Sequence, residues 1–359
     1  MGANTAEAVW RVAMVLPLRG PAGLFAPSCE AVIRLAVDEI NARGGIRGRR
    51  VVSEVVDGGR APTAVAADVG ARVTRGTVDA VSGWHISSVR RALVPAVTGR
   101  VPYAYPSLYE GGETRPGVFC SGETPDQQIA PALRWLRDEL GARRWYVVGD
   151  DYVWPRVSAR AVHGFARELG LDVVGQSFTP LGAGRVGRLV DRVERAACDG
   201  VLMLLVGQDA VEFNREFARR GLADRLVRFS PLMEENMLLA SGAEATENLF
   251  VASSYFRSLT TTGALDLLSG YLHAHGPDAP ALSSAAESCY EGLRTLAALA
   301  ERAADDRLDA WDAVVDGTAW EGPRGTVEFR GRQARQPVHL AVADGLDFDV
   351  ITALPAVSP

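Results

Sequence analysis

Short, wholly apolar runs alternate with longer segments whose apolar residues recur three and four apart, and this alternation persists along most of the chain. Residues 12–16 are unbroken apolar, a loop rich in proline and glycine follows over 17–27, and 30–42 carry the helical spacing, which reads as strand, loop, helix. Gly44, Gly45 and Gly48 can take the left-handed conformation that ends a helix, and 50–56 open the next strand. The same reading continues through helix 63–75, strand 80–81, helix 89–98 and strand 101–104. A second series starts near Gln127, with helices 130–140, 157–169, 186–197 and 210–220 between strands 145–148, 173–178, 200–205 and 226–230. Repeats of this kind build parallel sheets through right-handed crossovers, so the expected fold class is α/β with two doubly wound parallel-sheet lobes. The remainder reads as strand 250–253, helices 285–304 and 308–315, and a hairpin-like pair, 325–329 with 338–342. Ligands of such sheets bind beyond the carboxyl ends of the strands, so two facing rims predict one cleft.

Composition narrows the partners. A chain of 359 residues that is 47% hydrophobic and 23% charged has ample core for two globular lobes. The formal net charge of -6 argues against an electrostatic grip on nucleic acid or on an anionic membrane. All 38 basic residues are arginine, which excludes Schiff-base chemistry and the lysine of a phosphate-binding loop. Cys29, Cys120, Cys198 and Cys289 stand far apart, without the spacing of a metal knuckle or a redox dithiol. His273-Ala-His275 lacks further ligands at metal spacing and reads as a solvated loop, so neither metal nor cofactor is expected. The first residues show no basic segment followed by an apolar one, and no run approaches 18 apolar residues. The expected location is therefore the cytoplasm without membrane insertion, or the periplasm or an extracellular lipoprotein if a leader has been removed.

Three strand-to-loop junctions concentrate hydroxyls and large aromatics: Gly83-Trp84-His85-Ile86-Ser87-Ser88, Val101-Pro-Tyr-Ala-Tyr105-Pro-Ser107-Leu-Tyr-Glu110-Gly111, and Gly149-Asp-Asp-Tyr152-Val-Trp154-Pro-Arg156. Ser87 falls just before helix 89–98, where unpaired backbone N–H groups and the positive end of the helix dipole favour a carbonyl or carboxylate oxygen. Tyr105, Tyr152 and Trp154 offer apolar walls with few rotatable bonds, so ordering them on a ligand costs little entropy. His85 and Ser87 lack the nucleophile elbow and an orienting acid, which argues against a hydrolytic pair.

These motifs, with the segment from Leu35 to Arg49 and with Gly122-Glu-Thr-Pro-Asp-Gln-Gln128, resemble the type I periplasmic-binding-protein fold of the branched-chain amino-acid, urea and amide branch. The resemblance runs nearly the whole length and is strongest toward the amide- and urea-binding subgroup, which includes cytoplasmic amide sensors as well as transporter components. It implies lobes joined by a multi-strand hinge, one from 9–125 plus 252–328 and the other from 126–251 plus 329–359. It also implies that Ser87, Tyr105, Ser107 and Tyr152 hold the amide of a ligand. Ser88, Trp84, His85 and Trp154 complete the expected ligand shell. Trp84-His85 and the segment from Pro231 to Asn236 depart from the subgroup, and Glu234 or Glu235 would favour a more basic guest if it reached the cleft.

The expected function is non-catalytic binding of a small polar amide-, urea- or amino-acid-like molecule, as a cytoplasmic sensor that signals to a regulatory protein partner, possible homodimerisation included. The alternative is the substrate-binding component of an ABC transporter, which docks on a permease. A third reading is an enzyme or accessory protein that draws on His85, Glu234, Asp151 and Cys120.

Overall fold

The computed structural model describes residues 9–355. The first lobe is built on an eight-stranded sheet and the second on a seven-stranded one. In chain order the first lobe begins with β1 (Val9–Leu16), α1 (Ala26–Ala42), β2 (Arg50–Asp57), α2 (Pro62–Thr74), β3 (Ala80–Ser82), α3 (Ser87–Val97), β4 (Tyr103–Tyr105) and β5 (Val118–Cys120). The chain then crosses to the second lobe: α4 (Pro125–Leu140), β6 (Arg144–Asp150), α5 (Val153–Leu169), β7 (Asp172–Thr179), α6 (Val186–Arg195), β8 (Gly200–Leu204), α7 (Gln208–Arg219), β9 (Val227–Ser230), α8 (Glu235–Ser241) and β10 (Leu249–Ser253). It returns through α9 (Thr262–His275), α10 (Ser284–Arg302), α11 (Leu308–Val315), β11 (Ala319–Gly322), β12 (Gly325–Arg330) and β13 (Gln333–Arg335), and ends in the second lobe with β14 (His339–Asp344) and β15 (Asp347–Ala353).

Strand order is β11-β12-β13-β5-β4-β3-β1-β2 in one sheet and β15-β14-β10-β9-β8-β6-β7 in the other. The parallel strands are covered on both faces, which is why β1 reads as a continuous apolar run. Along it, Val12, Met14 and Leu16 join the core that contains α1 and α10, while Ala13 and Val15 face α2 and α3. Each sheet is nonetheless mixed, because β11–β12–β13 and β10–β14–β15 pair antiparallel at one side.

Two expectations are corrected here. The segments 325–329 and 338–342 do not form a hairpin: β12 pairs with β11 and β13, whereas β14 pairs with β10 and β15. The last crossing therefore falls after Arg335 rather than at residue 329. The cause is side-chain specific: Gln333 donates to Gly122 O at 2.8 Å and accepts from Tyr109 Oη at 2.6 Å, and Cys120 N donates to Arg332 O, which docks β13 on β5. A strand of three residues flanked by arginines carries no apolar period to reveal this. Likewise His273 and His275 lie in the last turn of α9 rather than in a loop, and His275 Nε2 sits 2.9 Å from Ala31 O.

The three crossings form the hinge, and the Gly122–Gln128 motif is its clasp. Thr124 and Gln127 make a capping box that starts α4, with Pro125 at its first position. Gln128 Nε2 donates to Pro231 O (3.1 Å) and Ala252 O (2.9 Å), and Gln127 Nε2 donates to Ala334 O (2.9 Å). Glu123 accepts from Ser254 N at 2.9 Å. One short motif thus ties all three crossings together.

Candidate functional site

The carboxyl ends of the two sheets face one another, and the lobes touch: α3 meets α5, and the turn Pro21–Phe25 meets α7 and α8. Gly83 sets the first wall. Its φ of 109° and the 2.5 Å that would separate an added Cβ from Val15 O leave glycine as the residue that fits, so the loop after β3 folds back over β1. Trp84 then packs edge-on against Phe25, with ring centroids 4.6 Å apart. The His85 ring is buried between Val15 O, 3.1 Å from Nδ1, and Tyr103 Oη, 2.5 Å from Nε2. Because a carbonyl can only accept, Nδ1 carries the proton, and Nε2 accepts from the tyrosine. Burial pushes the imidazole down to about 4, so it is neutral near pH 7.

The loops after β3 and β4 are laced to each other. His85 N donates to Ser107 Oγ at 3.1 Å, and Tyr105 Oη donates to His85 O at 2.8 Å. Arg90, buried on α3, holds the second loop by ion pairs to Glu110 (2.7 Å) and Glu113, with its guanidinium 4.9 Å from the centre of the Tyr109 ring. This revises the expected shell. His85 spends both ring nitrogens inside its own lobe, and Tyr105 gives its hydroxyl proton to the backbone, so both position the loop before they serve a guest. Ser107 accepts from His85 N and, with Ser87, lies close enough to the Tyr105 phenol to ease its ionisation.

Ser87 stands apart. It and Ser88 are the first two residues of α3 rather than residues preceding it, with Ile86 at the N-cap. Ser87 Oγ is buried close enough to the Tyr105 hydroxyl to ease ionisation of that phenol, yet it makes no hydrogen bond of good geometry. A buried hydroxyl at a helix N-terminus with unused capacity is costly unless something completes it. From the other lobe Tyr152 is half-buried at the N-cap of α5, and burial, with Asp150, Tyr105 and Glu110 in electrostatic reach, raises its phenol pKa. Trp154 is buried behind it, ring centroids 6.3 Å apart. Ser87 and Tyr105 are thus neighbours in the first lobe, and α3 meets across the seam the helix α5 that Tyr152 caps.

The acids take other work. Asp150 is buried, accepts from Val206 N at 2.8 Å and so fixes the loop after β8; burial beside Asp209 pushes its pKa well up. Asp151 is exposed and pairs with Arg156. Glu234 accepts from Ala285 N in the first turn of α10, across the lobe boundary, and its second oxygen is buried without a hydrogen bond; burial raises it to about 7. Glu235 accepts from Arg257 N. Cys120 is buried in the core under α2 and α3, and burial pushes its thiol up to about 12. His85, Glu234 and Asp151 are thus each engaged by partners of their own.

Beside the seam lies a cavity of about 320 Å³, lined by the loops after β1, β2 and β3 and by Leu181 of the second lobe. Sequence reading quoted Ile86 and Ser88 in one motif and read the loop that holds Arg19 and Pro21, but missed Leu181, which carries no chemical signature.

The chain is similar to known proteins along its length. A family profile described as periplasmic binding protein matches residues 9–345. The Leu/Ile/Val-binding protein BraC3 of Rhizobium johnstonii is 27% identical over 190 residues, an alignment that spans half of this chain and half of that relative. A solute-binding protein of an ABC transporter from Rhodopseudomonas palustris HaA2, solved with p-hydroxybenzoic acid, superposes with a TM-score of 0.85 at 20% identity, covering 97% of this chain and 98% of that one. The branched-chain amino-acid transporter substrate-binding protein LivJ of Streptococcus pneumoniae, solved with isoleucine, gives 0.82 at 19% identity, covering 98% and 100%. Two lobes, three hinge crossings and a match over residues 9–345 agree: the chain belongs to the periplasmic binding protein family.

Proposed function

We propose that this protein is the solute-binding component of an ABC transporter, which captures a small organic molecule bearing an amide, carboxylate or similar carbonyl group between its lobes. The observation that carries the reading is the buried hydroxyl of Ser87, without a hydrogen bond of good geometry, at the start of α3, the helix that meets α5 of the opposite lobe. A carbonyl or carboxylate oxygen there would take the Ser87 hydroxyl and the first amides of α3, while Tyr152 and Ser107 close around it. Ser88 and the aromatic pair Trp84 and Trp154 support this shell, and Glu234 offers one free carboxylate oxygen for an amino group.

The transport role is favoured over a cytoplasmic sensor because two of the similar proteins named above are transporter binding proteins, one solved with p-hydroxybenzoic acid and one with isoleucine, and the third is a Leu/Ile/Val-binding protein. Among the described residues no helix is long and apolar enough to cross a membrane, so the permease would be a separate partner. Closure follows from differential affinity: a ligand bridging both lobes stabilises the closed form by as much as it binds that form better.

The test is calorimetric titration of aliphatic amides, urea, branched-chain amino acids and hydroxybenzoates into wild-type protein and Ser87→Ala. Saturable binding of at least one class, weakened in the variant, is the expected outcome; binding that is indifferent to Ser87 would move the site elsewhere.

A further inference from the structure

A second cavity, of about 490 Å³, lies at the opposite end of the first lobe from the seam. It opens where three strands begin: Trp10 stands at the start of β1, Asp79 directly precedes β3, and Val101 and Pro102 precede β4. The seam lies beyond the carboxyl ends of these strands and this cavity at their amino ends, so it shares no lining residue with the cavity beside the seam. Its volume falls within the range of small-molecule sites, about 300–1,000 Å³. Its floor is buried and apolar. There the Trp10 and Trp311 rings lie nearly parallel, with centroids 6.4 Å apart and 10° between their planes. The Trp311 Nε1–H is buried and makes no hydrogen bond, a donor that costs free energy until an acceptor reaches it. The rim is charged. Asp306 is held by Arg47 (3.1 Å) and Arg49 (2.9 Å), and Asp79 accepts from Arg11 N at 2.7 Å. Arg100 is exposed and donates to Thr74 Oγ1 at 2.8 Å, and among the described residues it pairs with no carboxylate. The rim therefore carries positive charge in excess, with an unmet indole donor below it.

We propose that this cavity is a second binding site, for a small ring-bearing anion whose ring packs on Trp10 and Trp311, whose charge meets Arg100 and one of whose oxygens accepts from the Trp311 indole. The guanidinium fork suits a carboxylate or a phosphate monoester, since either offers it two oxygens at once. The two tryptophans supply a flat, rigid apolar surface that loses little freedom when a ring settles on it. Every lining residue belongs to the first lobe, so occupancy does not require the lobes to close. The site stands apart from the reading of the seam and does not depend on it.

The experiment follows the assigned Trp311 indole resonance in proton–nitrogen correlation spectra of the full chain during titration with benzoate, phenyl phosphate and the uncharged benzyl alcohol. Benzoate and phenyl phosphate should shift it saturably, with affinity about tenfold above that of benzyl alcohol, because a charge-assisted hydrogen bond is at stake. Arg100→Gln should weaken the anions to the level of the alcohol. Arg100 is exposed, so this variant should melt as wild type does. Ser87→Ala should leave the Trp311 response unchanged. A response to one anion alone supports the site and tells which anionic group it takes. No saturable shift with either anion, equal affinity for benzyl alcohol, or anion binding undiminished in Arg100→Gln overturns the proposal and leaves the reading of the seam untouched. A Trp311 shift that disappears in Ser87→Ala would trace the effect to the seam, overturning this second site while supporting the first.

Discussion

Pro21 of the first lobe lies against Gly207 of the second so closely that a Cβ on Gly207 would be driven into the Pro21 carbonyl oxygen. Gly182 meets the same proline from another side, where an added Cβ would stand 2.8 Å from Pro21 Cγ. Pro21 also lines the cavity, so the contact that brings the lobes together helps to enclose it.

The first prediction follows from that contact. Gly207→Ala should obstruct closure, lowering affinity for whichever probe binds by tenfold or more. Small-angle scattering should show a radius of gyration that no longer contracts on adding ligand. Gly207 has φ 53°, so a few degrees of melting temperature should be lost as well. Full contraction in the variant would show that this contact is not needed for closure.

Ser87→Ala should separate stability from binding. Its hydroxyl is buried without a partner, so removing it should leave the ligand-free melting temperature unchanged or slightly raised. Affinity should fall by about 1–3 kcal/mol, the cost of leaving a bound polar group unmet. Thermal melts with and without ligand read both quantities.

Tyr105→Phe should do the reverse. Its hydroxyl holds His85 O, so the variant leaves a buried carbonyl unpaired and should lose about 1–3 kcal/mol of stability in denaturant melts. The loss of affinity should be smaller than for Ser87→Ala, because the phenol positions the loop through His85.

The hinge clasp predicts a larger cost. Gln128→Ala removes the donor to Pro231 O and Ala252 O and strands two buried acceptors, so about 2–4 kcal/mol of stability should go. Chemical denaturation measures it, and an unchanged midpoint would mean the crossings are held by other contacts.

Stability should depend on Glu234 in a defined pH window. Its folded pKa is raised by burial to about 7, above an ordinary value near 4.5, so the folded state holds a proton that the unfolded state has released. The penalty for burying the charge is absent below about 4.5 and grows as pH rises toward 7. Glu235 and Glu287, raised to about 8, act in the same direction, whereas His85, lowered to about 4, acts oppositely below about 6.5. Glu234→Gln should therefore flatten the fall in melting temperature between pH 5 and 7. An identical slope in both proteins would count against a raised Glu234.

Much of the fold was legible in the residues. The apolar run at 12–16 is visible because β1 is covered on both faces, and the 3.6 spacing of 30–42 is visible because α1 buries one stripe. The Tyr-Pro and Asp-Tyr stretches were likewise readable as loops at strand ends, since proline, glycine and aromatics there mark preorganised turns. β13 and α8 were not, because such short elements take their stability from distant partners such as Gln333 with Gly122.

What the sequence determined by itself was the succession of strands and helices and the doubly wound lobes. The tertiary structure alone decided that His85 and Tyr105 spend their polar atoms on the loop and that Gly122–Gln128 is a clasp. It alone made a proline-walled cavity beside Ser87. The reason is physical: periodicity is a local property of the chain, whereas a hydrogen bond between Tyr105 and His85, or a void shared by Pro21 and Leu181, exists once segments far apart in sequence have packed.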